Sequence, residues 1–449
     1  MPMDRRQILL GGAGLGAGAL AAGPASAAER PSPGTHLSAV EFGAVPNAAG
    51  DQTSALQLAI DAAAQARAPL WLPAGRYSTG TLSLKSGTII SGGHGSAVLV
   101  QAGKGPLVSG QGAEGVRLEG VTFDGTNVPL ADTGALVALE KAERLLLRDC
   151  RILASGGDGL SLRGCSGAVL QNEIAGAARA GLHSIDAGGL EISQNHVHDC
   201  RDNGILVWRS QAGEDGTLVT GNRIETIGAA SGGSGQNGNG INLFRAGSVL
   251  VSGNRIADCA FSAVRANSAS NCQIVSNSCS RLGEVAIYAE FAFEGAVVAS
   301  NLVDGAALGI SITNFNEGGR LAVVQGNLVR NLKLRPEGES RGIGIAVEAD
   351  TLVSGNVVEG APTVGIMAGW GVHLRDVTIT ANMVRQSRVG IGVSVVNGAG
   401  YAFITDNMMS QTTEGGIRAM DHLKLLGRDL AHQSSESFRT IAVFGNVSF

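Results

Sequence analysis

Apolar and small residues alternate over stretches of four to six positions along most of this chain. Tight-turn residues separate the stretches, and no twelve-residue helical pattern comes between them. Alternation at period two predicts strands with one buried face. A motif of small or apolar residues, then Asn, then usually an apolar residue recurs through the chain. It reads LQNEI at Asn172, VTGNRI at Asn222, VSGNRI at Asn254, VASNLV at Asn301 and ITDNMM at Asn407, with further copies at Asn195, Asn277, Asn327, Asn356, Asn382 and Asn446. Successive copies lie 23 to 39 residues apart. Asp124 and Asp149 are assigned the same place in two earlier copies.

A second motif, Gly or Ala followed by an apolar residue and renewed alternation, trails the first. It includes GLSLRG from Gly159, GILVWRS from Gly204, GINLFRA from Gly240 and GISITNF from Gly309. The gap from Asn to Gly or Ala is nine residues in six copies, but 18 from Asn222 to Gly240 and 17 from Asn327 to Gly344, which marks insertions at one corner. Without helical crossovers, parallel strands can pair only with their own copies one repeat later, ~4.8 Å away. The predicted fold class is therefore all-β: a single-stranded right-handed parallel β-helix, each recurring Asn bonding the turn of the next coil. Neither a six-residue hexapeptide period nor a leucine-rich signature is present.

Open ends of such a stack need cover. Leu56, Ala59, Ile60 and Ala63 lie at i, i+3, i+4 and i+7, so a short capping helix is expected from about Ser54 to Ala66, with Thr53 as its N-cap. The rhythm breaks from His422 to Phe438, which reads as a capping excursion before a last coil at Asn446. The expected organisation is a leader over 1–27 and a β-helix domain over 28–449. Within that domain the N-terminal cap spans about 36–80, the laddered coils about 110–420 and the C-terminal cap about 421–449.

The segment FGAVPNAAGDQTSALQLAIDAA followed by PLWLPAGRYS resembles the N-terminal signature of the pectate-lyase-like superfamily, through Asp51, Thr53, Ala55, Leu56, Gln57, Pro73, Gly75 and Tyr77. With the leader described below, the whole chain is similar to a family of twin-arginine-translocated bacterial repeat proteins of uncharacterised activity. The resemblance implies the right-handed β-helix fold and leaves the chemistry open. The polygalacturonase motifs and the Y-G-x-D-P-H signature of mannuronan epimerases are both missing.

Composition fits short strands and tight turns: 67 glycines, 4% aromatic and 16% charged residues. A net charge of −5 implies no nucleic-acid partner. Arg5-Arg6, an apolar run from Ile8 to Gly23 and Ala25-Ser26-Ala27 follow the plan of a twin-arginine export signal with an A-x-A cleavage site. The expected destination is the periplasm or the outside, with the twin-arginine translocase as a partner during export. Six cysteines form neither a C-x-x-C pair nor a zinc spacing, and are expected as buried fillers of the coil interior. No cofactor and no metal site are expected, and a monomer is favoured.

The Gly/Ala motifs set a register in which alternate residues point outward. Four consecutive coils then carry Trp208, Asn242, Phe244, Arg265, Asn267, Tyr288 and Glu290 on one outer face. Rings beside amides, Arg and Glu suit a sugar groove. The insertion from Glu225 to Asn239 would form a mobile wall beside it. Whether the chain is catalytic stays open. For elimination or epimerisation of a uronate, Arg265 would neutralise the carboxylate and Tyr288 would act as base or acid, with Glu290 alongside. Trp208, Asn242, Phe244, Asn267, His183 and Glu348 would contact substrate. Glu290 and Glu348, two coils apart at ~9.6 Å, would be the pair of an inverting glycoside hydrolase. The third reading is a non-catalytic glycan-binding or structural envelope protein. A polysaccharide is the expected partner in the first two readings.

Overall fold

In the computed structural model, residues 36–130, 134–335, 341–432 and 438–449 are described. The leader, with Arg5, Arg6 and the Ala25–Ala27 site, lies outside them. The described chain winds into about 14 turns, and its strands stack into three parallel sheets of 16, 15 and 15 strands. Each coil contributes first to sheet 1, then turns at the Asn into sheet 2, and turns again at the Gly/Ala corner into sheet 3. Strand n pairs with strand n+3 almost throughout, which is the signature of a solenoid.

One inward position per sheet-1 strand carries the core. Ile192, Val219, Val251, Ile274, Val298, Val324, Val353, Ile379 and Ile404 stack in register, all fully or almost fully buried. Each such side chain contributes roughly 1.5–3 kcal/mol of burial. The six cysteines are free and buried in this interior. Burial pushes the thiols of Cys150, Cys200 and Cys279 up to about 12, so they stay protonated and unreactive.

The Asn ladder is continuous from Asn172 to Asn446. The Oδ1 of each Asn accepts the backbone N–H and the Nδ2 of the Asn one coil earlier, at 2.9–3.0 Å. The Nδ2 also donates to a carbonyl of the preceding coil, Val251 in the case of Asn277. The residue before each Asn has a positive φ, as at Gln171, Gly253 and Gly355 (58°, 65° and 63°), which is why Gly recurs there. The Gly/Ala corner has a different cause. A Cβ on Gly344 would lie 2.2 Å from the carbonyl oxygen of Gly365 in the next coil, so the coils close only over small residues.

Two sequence expectations need correction. Asp124 and Asp149 do not continue the ladder. The position that bonds Asn172 is Cys150, whose N–H donates to Asn172 Oδ1. Asp149 occupies the positive-φ place held by Gln171 one coil later, and Asp124 ends a sheet-2 strand opposite Leu153. The ladder therefore starts at Asn172, and earlier coils close with Cys150 and the Val121 strand. At the N-terminus, helix α1 (Thr53–Ala66) begins one residue early, with Gln52 at the cap position and Asp51 accepting the Thr53 N–H. Thr53 itself is helical, and its hydroxyl receives the N–H of Gly80, tying the helix to the first coils. The buried face of α1 is Leu56, Ala59, Ile60 and Ala63. At the other end, Ile417–Asp421 is followed by Lys424–Asp429, an antiparallel strand that closes sheet 3.

Candidate functional site

Parallel pairing turns the outward positions of sheet 3 into columns. One runs His183, Leu206, Asn242, Arg265, Tyr288, Ser311, Ala346, Met367. The adjacent column places Trp208, Phe244, Asn267 and Glu290 side by side. The residues singled out from sequence thus share one face, but they divide into two groups that differ in chemistry.

The N-terminal group is internally saturated. His183 Nδ1 lies 3.2 Å from Asp158, and its ring meets Trp208 edge-on at 4.8 Å. Trp208 Nε1 donates to Asn242 Oδ1, and its ring packs on Phe244. Arg265 binds Glu290 through two hydrogen bonds of 2.6 and 2.9 Å, and Asn267 donates a third to the same carboxylate. Glu290 is only 2% exposed. The corner insertion lies over this group: a Cβ on Gly235 would fall 1.5 Å from Arg265 Nη1. The insertion is pinned by Asp202, whose two carboxylate oxygens take the N–H and hydroxyl of Ser231 at 2.7 Å. With its fork filled by Glu290, Arg265 holds its neighbours in place, and a substrate carboxylate would have to displace that pair.

The C-terminal group opens onto a cleft of about 620 Å3 on the same outer face. Its floor is apolar, from Leu308, Ile343, Ala346 and Met367, with Leu423 at the far side. These belong to a second hydrophobic cluster, outside the coils, that the C-terminal excursion covers with Leu423 and Leu425. Gly392 makes this closure fit, because a Cβ there would strike the sulfurs of Met367 and Met420. The polar rim is Tyr288, Ser311, Thr313, Asn314, Arg341 and Glu348, with Trp370 alongside. Trp370 is 40% exposed and stacks edge-on against His422.

Two rim groups have displaced acidities. Burial raises the Glu348 carboxyl above its ordinary value, while the Phe315 N–H, bonded to Oε2 at 2.8 Å, partly offsets this. Burial, then the Glu290 charge, raises the Tyr288 phenol. The Arg265 guanidinium lies 5.2 Å from the Tyr288 ring centre. Behind the rim, Glu284 has Arg265, Arg335 and Arg341 within 3.6–3.8 Å, so the cleft's inner wall is rich in guanidinium.

Of the residues expected at a site, the cleft therefore gathers Tyr288 and Glu348. It leaves His183, Trp208, Asn242, Phe244, Arg265, Asn267 and Glu290 in the adjoining packed cluster. Arg341, Thr313, Asn314 and Leu423 were not singled out from sequence. Arg341 comes from the second corner insertion, whose length was visible although its role was not. Leu423 arrives from the chain's end. Among the described residues, no group of three His, Cys, Asp or Glu could hold a metal ion.

The sequence model of the right handed beta helix region matches residues 79–224 and 211–384. No curated protein sequence matches the chain. Among solved structures, the Dettilon tailspike protein shares 16% identity at a TM-score of 0.52, over 86% of this chain and 68% of that one. The catalytic unit of a GH87 alpha-1,3-glucanase from Streptomyces thermodiastaticus shares 17% at 0.51, over 93% and 69%. PfbA, a surface adhesin of Streptococcus pneumoniae, shares 14% at 0.50, over 86% and 91%. The chain spans about half, 55%, of the pre-mature gene product 12 of bacteriophage phi29, which it also resembles. At these identities the likeness is one of fold. The family matches fall on the coils whose strands pair in parallel, one turn upon the next, and the chain belongs to the right-handed β-helix family.

Proposed function

We propose that the protein is exported and binds an acidic polysaccharide in the cleft bounded by Tyr288, Arg341, Glu348 and Trp370, where it cleaves or epimerises the chain by removing a proton next to a uronate carboxylate. The observation that carries this reading is Glu348: a carboxyl with raised acidity constant, 8% exposed, on the rim of an open cleft with an aromatic ring and an arginine. A raised carboxyl is a stronger base once ionised. Tyr288, protonated at neutral pH, supplies the acid. The two lie two strands apart, ~9.6 Å, with a sugar ring between them.

In elimination, Glu348 takes the α-proton, the C–H electrons form the C=C bond, and the C–O bond to the leaving sugar breaks. Tyr288 protonates the departing oxygen. Arg341 offsets the charge growing on the substrate carboxylate. Arg341 replaces Arg265 in this role because the Arg265 fork is already filled by Glu290. The same filling disfavours a Glu290–Glu348 hydrolase pair, and Glu348 is the single carboxylate among the described residues lining the cleft.

Incubation with uronate polymers should give unsaturated ends read by ultraviolet absorbance, lost in Glu348→Gln and in Tyr288→Phe. Absence of both unsaturation and epimerisation across uronate polymers rejects the catalytic reading. Retained binding that Trp370→Ala removes would then make the protein a glycan-binding solenoid. That second reading rests on the exposure of the Trp370 ring.

A further inference from the structure

Sheet 1 has an outer face unlike those of its neighbours. In nine successive strands, from Leu218–Thr220 to Ile441–Phe444, the residues on either side of the buried central one point outward. None of them is Asp, Glu, Lys or Arg. They are apolar or small and neutral, and Leu218, Val297, Leu352, Phe403 and Phe444 are 38–55% exposed. The corresponding face of sheet 2 carries Glu225, Asp304, Arg330, Glu359 and Arg385. Eight strand spacings make the neutral stripe ~38 Å long. An uncharged, half-exposed strip of that size marks a contact surface.

One edge of the stripe indicates what fits it. Glu294, Arg320, Asp350 and Arg375 follow one another up the stack, alternating in sign. Arg320 pairs with both Glu294 and Asp350, and Asp350 pairs with Arg375 at 2.6 Å. Read backwards, the row is its own complement. A second copy lying antiparallel, related by a two-fold axis between the Val323 and Leu352 strands, sets Glu294 opposite Arg375 and Arg320 opposite Asp350. A parallel copy does not bring the two rows together. The neutral centre lets identical surfaces meet without like-charge repulsion, and a two-fold contact is self-complementary by construction. With a width of roughly 15–20 Å, each copy would bury on the order of 600–750 Å2, close to the ~800 Å2 per partner of a standard interface.

We propose that sheet 1 is a homodimer interface, with two solenoids side by side and antiparallel. This departs from the monomer favoured on sequence grounds, and it is independent of the cleft on sheet 3.

Sedimentation equilibrium of the purified chain tests it. The apparent mass should rise with concentration from one chain, 45.5 kDa, toward two. Leu352→Arg, next to the axis, should return the mass to one chain with an unchanged circular dichroism spectrum. Glu294→Arg and Arg375→Glu should each weaken dimerisation by about tenfold or more, and the double swap should restore most of the loss. These two variants also keep the test decisive if Leu352→Arg folds poorly. A one-chain mass at every concentration overturns the proposal, as does a dimer indifferent to Leu352→Arg. A double swap weaker than either single change removes the antiparallel arrangement. A monomer that pellets with insoluble polysaccharide through Leu352 would assign the stripe to glycan instead.

Discussion

Asn277→Ala tests the ladder at its centre. The Asn277 side chain is 2% exposed and takes part in four hydrogen bonds. Its Oδ1 accepts the N–H and the Nδ2 of Asn254, and its Nδ2 donates to Val251 O and Asn301 Oδ1, all at about 3.0 Å. Alanine removes all four, but the costs differ. Asn254 Nδ2 keeps Val219 O, and Asn301 Oδ1 keeps the backbone N–H of residue 277. The groups stranded in the dry interior are the Asn254 N–H and one lone pair of Val251 O. A buried unsatisfied group costs ~1–3 kcal/mol, and the carbonyl lies at the lower end, so the sum is about 2–4 kcal/mol. Asn446 gives the control. It is half-exposed at the last turn, where water can reach the groups it leaves. Asn446→Ala should therefore cost under about 1 kcal/mol. Urea unfolding followed by far-ultraviolet circular dichroism measures both, the slope serving as a check that the unfolding unit is unchanged. Equal costs at the two positions, or an unchanged midpoint for Asn277→Ala, would refute the argument that burial makes the ladder stabilising.

The other expectations are shorter. Trp370→Ala should weaken glycan binding by about tenfold or more, as a stacking ring is lost from the cleft; intrinsic fluorescence titration reads it. Glu348→Gln should raise stability at neutral pH. The folded protein holds the Glu348 proton more tightly than the unfolded chain does. The wild type therefore loses stability as pH rises from the ordinary carboxylate value through the raised one, and the variant does not. Melting curves across that window should diverge toward neutral pH and coincide below it. Changing Arg5 and Arg6 together to Lys should leave precursor in the cytoplasm, as fractionation and immunoblotting would show; normal export would point to another route. Gly235→Val should displace the insertion from Arg265 and increase quenching of Trp208 fluorescence by acrylamide, since the added side chain has no space beside the guanidinium.

The fold was legible because a solenoid is nearly local. Each coil repeats the same three decisions: alternation, a turn at Asn, a small residue at the corner. Reading those decisions in order reproduces the register, down to His183 beside Leu206 and Arg265 beside Tyr288. Legibility failed first where repeats were imperfect. Asp149 looked like a ladder residue because it is polar and near a turn, yet one place of register separates the inward ladder from the outward turn. It failed again over the site. Column membership showed that Arg265 and Glu290 were neighbours, but not that they were spent on each other.

What the sequence alone determined is the repeat and everything that follows from its period: three parallel sheets, a buried Asn row, a capping helix whose apolar face is Leu56, Ala59, Ile60 and Ala63. What only the tertiary structure decided is where the outer face stays open. The Gly235 loop closes one stretch of sheet 3, and the Arg341 insertion, Trp370 and Leu423 frame the next. Those elements interrupt the repeat and reach the face across long stretches of chain, so no periodic rule constrains them. Their positions come from packing, such as two methionines meeting over Gly392, which becomes visible only once the coils are stacked.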